Sequence, residues 1–216
     1  MTAFETIFDT RSAGWDTAPL GSICDVTVGR CRPGPTPSVE DGVPVISSAQ
    51  IVDGRLHLDG ARRLHPGEAE RHRGAGVRPG DLIMTRKASR RRHALVTSEQ
   101  AQTRALVNES CFTVRVRDDG RVISEYLDHY FTHPGVQDWL DGRTHNGLVP
   151  NLTVDQLREL DVLLPPRDQQ SQIVQLYRTI DEQIHTYEQI IATTRELRRG
   201  LIEPLLAGRS GGGSSR

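Results

Sequence analysis

The chain has 216 residues, of which 36% are hydrophobic and 25% charged, and its formal net charge is −1. This composition fits one sizeable globular core with an attached segment and excludes a generally disordered chain. The three cysteines form no CxxC pair, which excludes a disulfide framework and a zinc-binding spacing, and no apolar run approaches the roughly 20 residues of a membrane span. We therefore predict a cytoplasmic protein that has no contact with a membrane.

The first part of the chain, from Trp15 to about Gly147, alternates short apolar runs with turn sequences rich in proline and glycine. This alternation predicts a mixed domain that is rich in strands. The predicted strands are DVTVG (25–29), VPVIS (43–47), DLIMTR (81–86), HALVTS (93–98) and CFTVRV (111–116).

The sequence SEYLDHYFTHPGVQDWLDG, residues 124–142, has helical spacing instead. Apolar side chains recur every three or four residues on both sides of Pro134-Gly135, which predicts two short helices that meet at this dipeptide. The aromatic residues on these faces are therefore predicted to pack in the core and not to stack on bases. They are Tyr126, Tyr130, Phe131 and Trp139.

The sequence NLTVDQLRELDVLLPPRDQQSQIV, residues 151–174, is predicted to contain a short helix, a short strand and the start of a second helix. Thr153 and Gln156 have the spacing of a capping box, which predicts a short helix over TVDQLREL, and DVLLP predicts a short strand after it. Two prolines then end the strand and fit the first turn of another helix, where their missing N–H groups have no intrahelical partner.

A long helix is predicted from about Asp168 to Glu203, with Pro204 and Gly208 as its end signals. Its apolar residues recur in alternating steps of four and three, the heptad pattern of a coiled coil, and the seam shifts by one position after Ile191. A helix of roughly 50 Å with such a seam predicts a partner helix. The seam consists of Ile173, Tyr177, Ile180, Ile184, Tyr187, Ile191, Leu197 and Leu201.

Four segments carry a resemblance to a known family. They are WDTAPLGSICDVTVGRCRPGPTPS, GVPVISSAQI, VRPGDLIMTR, and NLTVDQLRELDVLLPPRDQQSQIV leading to LLAGR. Together they resemble the specificity (S) subunit of Type I restriction-modification enzymes, over about Trp15 to Arg209. Two features depart from the family pattern. KASRRRH replaces the glycine-containing turn that usually follows PGDL, and the chain has one recognition domain and one long helix where S subunits usually have two of each.

The resemblance implies an α+β fold in three parts: a strand-rich, mixed target-recognition domain at 12–166, a long coiled-coil helix at 167–208, and a flexible tail or linker at 209–216. In the family, two such helices form an antiparallel coiled coil that separates two recognition domains. A half-size chain would reach the same arrangement as a homodimer, and its target in double-stranded DNA would be a palindrome with a gap.

The resemblance also implies a non-catalytic subunit that recruits a DNA adenine methyltransferase subunit, with a restriction or translocase subunit as a further partner, in phage defence. The sequence lacks a GxxxxGK[S/T] loop, a GxGxxG turn, a GxSxG elbow and an NPPY-like tetrapeptide. Because these motifs are missing, we predict no cofactor and no enzymatic activity. We also predict no metal, since His129 and His133 lack an evident third ligand. Two alternatives stay open: a stand-alone DNA-binding or scaffold protein of a defence system, and an enzyme with an unrecognised nuclease site.

Positive charge is concentrated between residues 61 and 93, where nine Arg and one Lys against three acidic residues leave an excess of seven. Within this part, RKASRRRH is the strongest candidate for DNA contact, because guanidinium groups bind phosphates and guanine edges. A solvated charged face is the alternative interpretation. The candidate residues are Arg86, Lys87, Arg90, Arg91, Arg92 and His93.

Two polar loops are further candidates for DNA contact. Ser47, Ser48 and Gln50 in SSAQ offer hydroxyl and amide groups to base edges, and an ordinary polar turn explains them equally well. Arg143 and Asn146 lie in GRTHNG, which is similar to a loop position that faces DNA in the family. A simple turn before the capped helix explains this loop too.

Overall fold

The computed structural model describes residues 14–32, 38–72, 74–87, 91–143 and 151–207, with side chains to Gly200. The chain divides into two compact units, Met1–Gln172 and Ile173–Arg216. The first unit mixes strands and helices, and the described part of the second is helical. This confirms the predicted fold class, a mixed strand-rich domain followed by a long C-terminal helix. No helix in the described ranges has both the length and the apolar character to cross a membrane.

Eleven strands lie in the described residues and include all six that the sequence predicts, the sixth being the strand predicted for DVLLP. They are β1 (Asp16–Pro19), β2 (Cys24–Val28), β3 (Val43–Ile46), β4 (Ile51–Val52), β5 (Arg55–Leu56), β6 (Arg63–Leu64), β7 (Leu82–Thr85), β8 (His93–Leu95), β9 (Leu106–Val107), β10 (Cys111–Val116) and β11 (Asp161–Leu164).

Seven α-helices accompany these strands in the same part of the chain. They are α1 (Leu20–Ile23), α2 (Pro66–Ala69), α3 (Ser98–Gln102), α4 (Ser124–Thr132), α5 (Pro134–Gly142), α6 (Val154–Arg158) and α7 (Arg167–Ala207), with 3₁₀ turns at Ser48–Gln50 and Glu70–His72.

The central sheet has four antiparallel strands in the order β2-β10-β7-β8. A three-stranded sheet has the order β6-β3-β9, in which β3 and β9 are parallel. β1 pairs with β11, and β4 with β5. The β4–β5 hairpin turns at Asp53-Gly54, whose φ angles are 49° and 72°. Two positive φ angles in a two-residue turn explain the Asp-Gly sequence, because glycine adopts this region without a steric penalty.

The central sheet is buried on both faces over β7 and β8, whereas one face of its β2 edge is open, with Thr27 exposed and Thr113 half-buried. On one face, Ile83, Ala94 and Cys111 belong to a core cluster that also contains residues of β3, β4 and β9. On the other face, Phe112 and Val114 are fully buried, and α4 packs against β8. The parts of this sheet that can reach a ligand or a partner are therefore its ends, its edges and the open face at β2.

The helices end and begin where the sequence predicts. His133 caps α5 by accepting the Gly135 N–H at Nδ1 over 3.2 Å, so the two predicted helices meet at Pro134. Thr153 and Gln156 form the predicted capping box at α6, with distances of 3.2 Å from the Gln156 N–H to Thr153 Oγ1 and 2.9 Å in the reverse direction. The predicted aromatic core residues Tyr126, Tyr130 and Phe131 are buried, and Trp139 is half-buried.

The start of α7 is fixed by Gln170, which is fully buried. Its Nε2 donates to the carbonyl oxygens of Pro165 and Arg121, both at 2.9 Å, and its Oε1 accepts the Ile123 N–H at 3.0 Å. A buried amide that satisfies three backbone groups specifies one position for the first turn of the helix. This contact explains one glutamine of the PPRDQQSQIV sequence.

Of the two predicted end signals of the long helix, Gly208 directly follows its last described residue, whereas Pro204 does not end it. The backbone stays helical to Ala207, three residues further on. Proline removes only its own N–H donor, and the residues after it still have N–H groups that reach earlier carbonyls. A proline this close to a helix end therefore removes one hydrogen bond without ending the helix.

Candidate nucleic-acid interface

The basic sequence RKASRRRH lies at one end of the central sheet, between β7 and β8. Hydrogen bonds from the Thr85 N–H to the Arg92 carbonyl (2.8 Å) and from the Arg92 N–H to Thr85 Oγ1 (3.0 Å) close the base of this loop. The Arg86 N–H donates to the Ser110 carbonyl at 2.8 Å, so the loop leaves the sheet beside the turn that precedes β10. Of its members, Arg90 lies outside the described residues.

The SSAQ sequence meets the basic loop at this end. Arg92 donates from Nη2 to the Ser48 carbonyl (3.1 Å) and from Nη1 to the Ile51 carbonyl (2.9 Å). The Ser48 N–H donates to Ser110 Oγ at 3.2 Å. Two segments about 40 residues apart in sequence, proposed separately as DNA contacts, therefore lie together.

Local hydrogen bonds already use part of the polar SSAQ turn. Gln50 Oε1 accepts from the Ser47 N–H (3.0 Å) and from Ser47 Oγ (2.7 Å), and the two residues form the capping box of a 3₁₀ turn. The Arg92 guanidinium, although exposed, is likewise held by backbone carbonyls. These side chains shape the interface, and their contact with DNA stays a prediction.

Residues on the other side of the loop approach through Asn151. Lys87 forms an antiparallel bridge with Asn151, and the Leu152 N–H donates to the Arg86 carbonyl at 3.3 Å. Residues 144–150, which connect Arg143 to Asn151, lie outside the described ranges, and the candidate Asn146 is among them. Arg143, just before it, bonds Glu159 Oε2 at 3.0 Å and lies 4.7 Å from the centroid of the Trp139 ring.

Two members of the basic loop are buried. Arg91 is 3% exposed and donates from Nη1 to the Arg86 carbonyl, and its Nε and Nη2 have no hydrogen-bond partner among the described residues. Burial lowers the pKa of Arg91, an effect that the Asp141 carboxylate opposes. Burial also lowers the pKa of His93 to about 4, so this imidazole is neutral near pH 7, and its Nε2 lies 2.9 Å from the Asp128 carbonyl oxygen. Their positions favour a role in holding the loop over direct contact with DNA.

The structure adds Arg32, which the sequence-based candidates omit. Arg32 Nε pairs with Glu109 Oε2 at 2.6 Å, and Arg86 Nη1 donates to the Glu109 carbonyl at 3.3 Å. The turn at 29–32 comes this close because Gly29 has no side chain: a Cβ there would overlap the Asn108 carbonyl oxygen. The GRCRPGPTPS sequence could therefore have indicated a DNA-contacting turn, since its glycine precedes basic residues.

The end of the sheet therefore exposes a compact set of cations and hydroxyl groups. Lys87 and Arg32 are exposed and Arg86 is half-buried, with the SSAQ turn between them and β10. Cations of this kind bind the phosphate backbone, and adjacent polar side chains are the groups that reach base edges. Among the residues that the structure describes, no group of three or more His, Cys, Asp and Glu side chains is placed to hold a metal ion.

The second unit exposes the apolar seam. Ile173 and Tyr177 are half-buried, whereas Ile180, Ile184 and Tyr187 are 41%, 50% and 64% exposed. The other exposed apolar side chains of α7 are Leu176, Ile190, Ile191 and Leu197, and the side chain of Leu201 lies outside the described residues. An exposed apolar stripe of this length on one helix is typical of a protein–protein interface or a coiled coil.

No family model and no curated protein matches the chain in sequence. Solved structures match it in fold. A structure concerned with complex assembly and conformational transition of the type I R-M system has 20% identity and a TM-score of 0.63, covering 86% of this chain and 43% of its own. The HsdS subunit from Thermoanaerobacter tengcongensis has 20% identity and a TM-score of 0.56, covering 85% and 42%. The Type-I restriction-modification system S subunit from M. genitalium has 14% identity and a TM-score of 0.56, covering 86% and 44%.

The chain thus has the fold of type I specificity subunits, as the sequence resemblance predicts. It spans less than half the length of the solved chains that it matches.

Proposed function

We propose that this chain is a non-catalytic, sequence-specific DNA-recognition subunit of a Type I-like restriction-modification assembly. The observation that carries the proposal is the fold shared with type I specificity subunits over 86% of the chain. The exposed cations at one end of the central sheet supply matching chemistry, because phosphate contacts position a protein on DNA and neighbouring polar groups read the bases.

Within this proposal the site residues have different roles. Lys87, Arg86 and Arg32 contact phosphates, since they are the exposed and half-exposed cations at the end of the sheet. Arg91 and Arg92 hold the loop through carbonyl groups. The candidates Arg90, Arg143 and Asn146 keep their predicted DNA contacts from the sequence.

Neutralising Arg86 and Lys87 together, as Arg86→Gln with Lys87→Gln, is expected to weaken binding to any duplex. Each phosphate contact contributes about 0.9 to the slope of log affinity against log salt, so the slope falls by up to about 1.8. Fluorescence anisotropy with a labelled duplex at several salt concentrations measures both quantities.

The matched control is Arg121→Gln with Arg167→Gln, which removes the same charge. Arg121 follows the opposite end of β10, and Arg167 donates to the neighbouring Gly120 carbonyl at 2.9 Å. The control should keep the affinity and the salt slope of the unaltered chain. An unchanged slope in the Arg86 and Lys87 variant would place the DNA elsewhere on the domain.

The exposed apolar seam of α7 supports a homodimer in this proposal. Two copies of α7 pairing in antiparallel fashion would bury both apolar seams and would supply two recognition domains related by two-fold symmetry. The part of α7 in the second unit is about 50 Å long at 1.5 Å per residue. The target is then two inverted half-sites in double-stranded DNA, separated by bases that are not read.

The decisive experiment is methyl transfer to a duplex that carries a target selected from a random pool. This chain, a partner DNA adenine methyltransferase subunit, and both together are compared, and a restriction or translocase subunit is added separately for cleavage. Activity is expected only when both the chain and its catalytic partner are present, since the chain supplies recognition and the partner supplies chemistry. Methylation by this chain alone, or by the partner regardless of the chain, would contradict the proposal.

A further inference from the structure

A cleft of about 590 Å³ lies at the β2 edge of the central sheet. The exposed face of β2 and β10 forms one wall, including Thr27 and Thr113, and the glycine-rich segment 74–76 forms another. The cleft is distinct from the end of the sheet that holds Lys87. Of the arginines between residues 61 and 93 that lie outside the basic loop, Arg71 lines this cleft.

Four arginines line this cleft, against a single carboxylate. Arg115 is paired with the buried Asp81, with distances of 2.7 Å and 2.6 Å. Arg158 donates to Asp155 Oδ1 at 3.3 Å and to the Val26 carbonyl oxygen at 3.1 Å. The carboxylate belongs to Asp25, which is already paired with Arg117 at 2.9 Å.

The other two arginines, Arg30 and Arg71, are exposed and have no hydrogen bond or ion pair with any residue that the structure describes. Since Arg115, Arg158 and Asp25 are each already in an ion pair, the excess of positive charge in the cleft comes from these two unengaged guanidinium groups. A guanidinium carries its donors in a planar fork that matches phosphate oxygens, and it does not lose its charge at neutral pH.

The cleft continues into the candidate nucleic-acid interface through one turn. Arg30 lines the cleft, and Arg32, two residues later, pairs with Glu109 at the end of the sheet. The turn is held by hydrogen bonds from the Gly29 N–H to the Cys111 carbonyl (3.0 Å) and from the Cys31 N–H to the Val107 carbonyl (3.1 Å). The two cationic surfaces are therefore fixed relative to each other within the first unit.

We propose that this cleft binds the phosphate backbone of DNA outside the bases of the half-site. The proposal rests on the DNA-recognition function argued above and extends it to a second surface that holds backbone and reads no sequence. Arg30 and Arg71 supply the direct contacts, because their guanidinium groups are exposed and are not engaged by any residue that the structure describes. Affinity should therefore depend on duplex length beyond the target.

The test uses two duplexes with the same selected target, one ending at the target and one extended by about one helical turn on each side. The unaltered chain should bind the longer duplex more tightly, on the order of tenfold at 0.1 M salt, with a salt slope steeper by up to about 1.8 for each half-site and about 3.6 for a dimer on both. Arg30→Gln with Arg71→Gln should lose this gain and bind the short duplex within about twofold of the unaltered chain. Arg30→Lys with Arg71→Lys should restore most of the gain in salt dependence, because the charge is kept.

Arg121→Gln with Arg167→Gln again serves as the charge-matched control and should retain the full length effect. Retention of the gain by the Arg30 and Arg71 variant would overturn the cleft proposal while leaving DNA recognition intact. The cleft proposal would also be overturned if that variant keeps the gain but no longer binds the methyltransferase subunit. The cleft would then hold an acidic segment of that protein. Failure of the unaltered chain to bind either duplex would overturn both proposals.

Discussion

A chain in which Ile180 and Ile184 are both replaced by glutamate is expected to be a folded monomer, at concentrations where the unaltered chain is a dimer. Both side chains lie on the heptad seam, and both are exposed in the single chain. A partner helix would cover them, and a carboxylate at either position would then be buried without a counter-charge. The helices would separate, whereas the first unit keeps its own core.

The expected effect is large because two-fold symmetry doubles it. Burying an isoleucine side chain contributes about 1.5–3 kcal/mol, and each substitution removes two such side chains from a dimer. The loss of four contributions raises the dissociation constant by at least about a thousandfold, since about 1.4 kcal/mol corresponds to a factor of ten. Sedimentation velocity at tens of micromolar, a range chosen from ordinary dimer affinities, measures the change.

The control for this variant is Gln175→Glu with Gln189→Glu. These residues lie on the same helix but on the side away from the seam, and they add the same charge. The control should stay dimeric. A monomeric unaltered chain, or a dimeric Ile180 and Ile184 variant, would remove the coiled coil from the proposed function and leave the recognition domain to be tested by itself.

The parts of the fold that are encoded locally are the parts that the sequence predicts. The capping box at Thr153 and Gln156 and the break at Pro134 depend on groups a few residues apart, so their sequence signals survive without tertiary information. The β-branched and aromatic run of β10 likewise predicts a strand. Its central place in the sheet, however, does not follow from that run.

The parts that depend on distant partners were not predicted. β1 pairs with β11, almost 150 residues away, and β9 is two residues long and pairs in parallel with β3. Strands this short carry too few residues for an alternating pattern to stand out. Their pairing is decided by tertiary packing, which a single sequence does not display.

The candidate site shows the same division. The charge excess between residues 61 and 93 places the cations in sequence, but it does not distinguish the exposed Lys87 from the buried Arg91. That distinction depends on how the loop folds back onto the Arg86 carbonyl. Arg32 joins the site only because Gly29 permits a close approach to Asn108, which lies almost 80 residues further along the chain.

Replacement of Asp81 by alanine is expected to lower the free energy of unfolding of the first unit by about 3 kcal/mol, the lower end of the range for a broken buried ion pair. Asp81 is 1% exposed and accepts from Arg115 Nε and Nη2 at 2.7 Å and 2.6 Å, and from the Arg78 N–H at 2.7 Å. The hydrogen bond to Asp81 raises the pKa of Arg115, which shows that the carboxylate stabilises the cation. Because 29% of the Arg115 side chain is exposed, solvent screens part of the loss.

A double-mutant cycle separates the ion pair from the other contacts of Asp81. Arg115→Leu alone leaves a buried carboxylate without its counter-charge and should destabilise at least as much as Asp81→Ala, because Asp81 is far less exposed than Arg115. The double variant should be less destabilised than the sum of the two single variants, by about 1–3 kcal/mol of coupling. Urea unfolding followed by circular dichroism measures all four proteins, in the Ile180→Glu and Ile184→Glu background, so that the concentration dependence of a dimer does not enter the comparison. A loss below about 1 kcal/mol for Asp81→Ala, or strictly additive variants, would show that Arg115 is held in the cleft by groups other than Asp81.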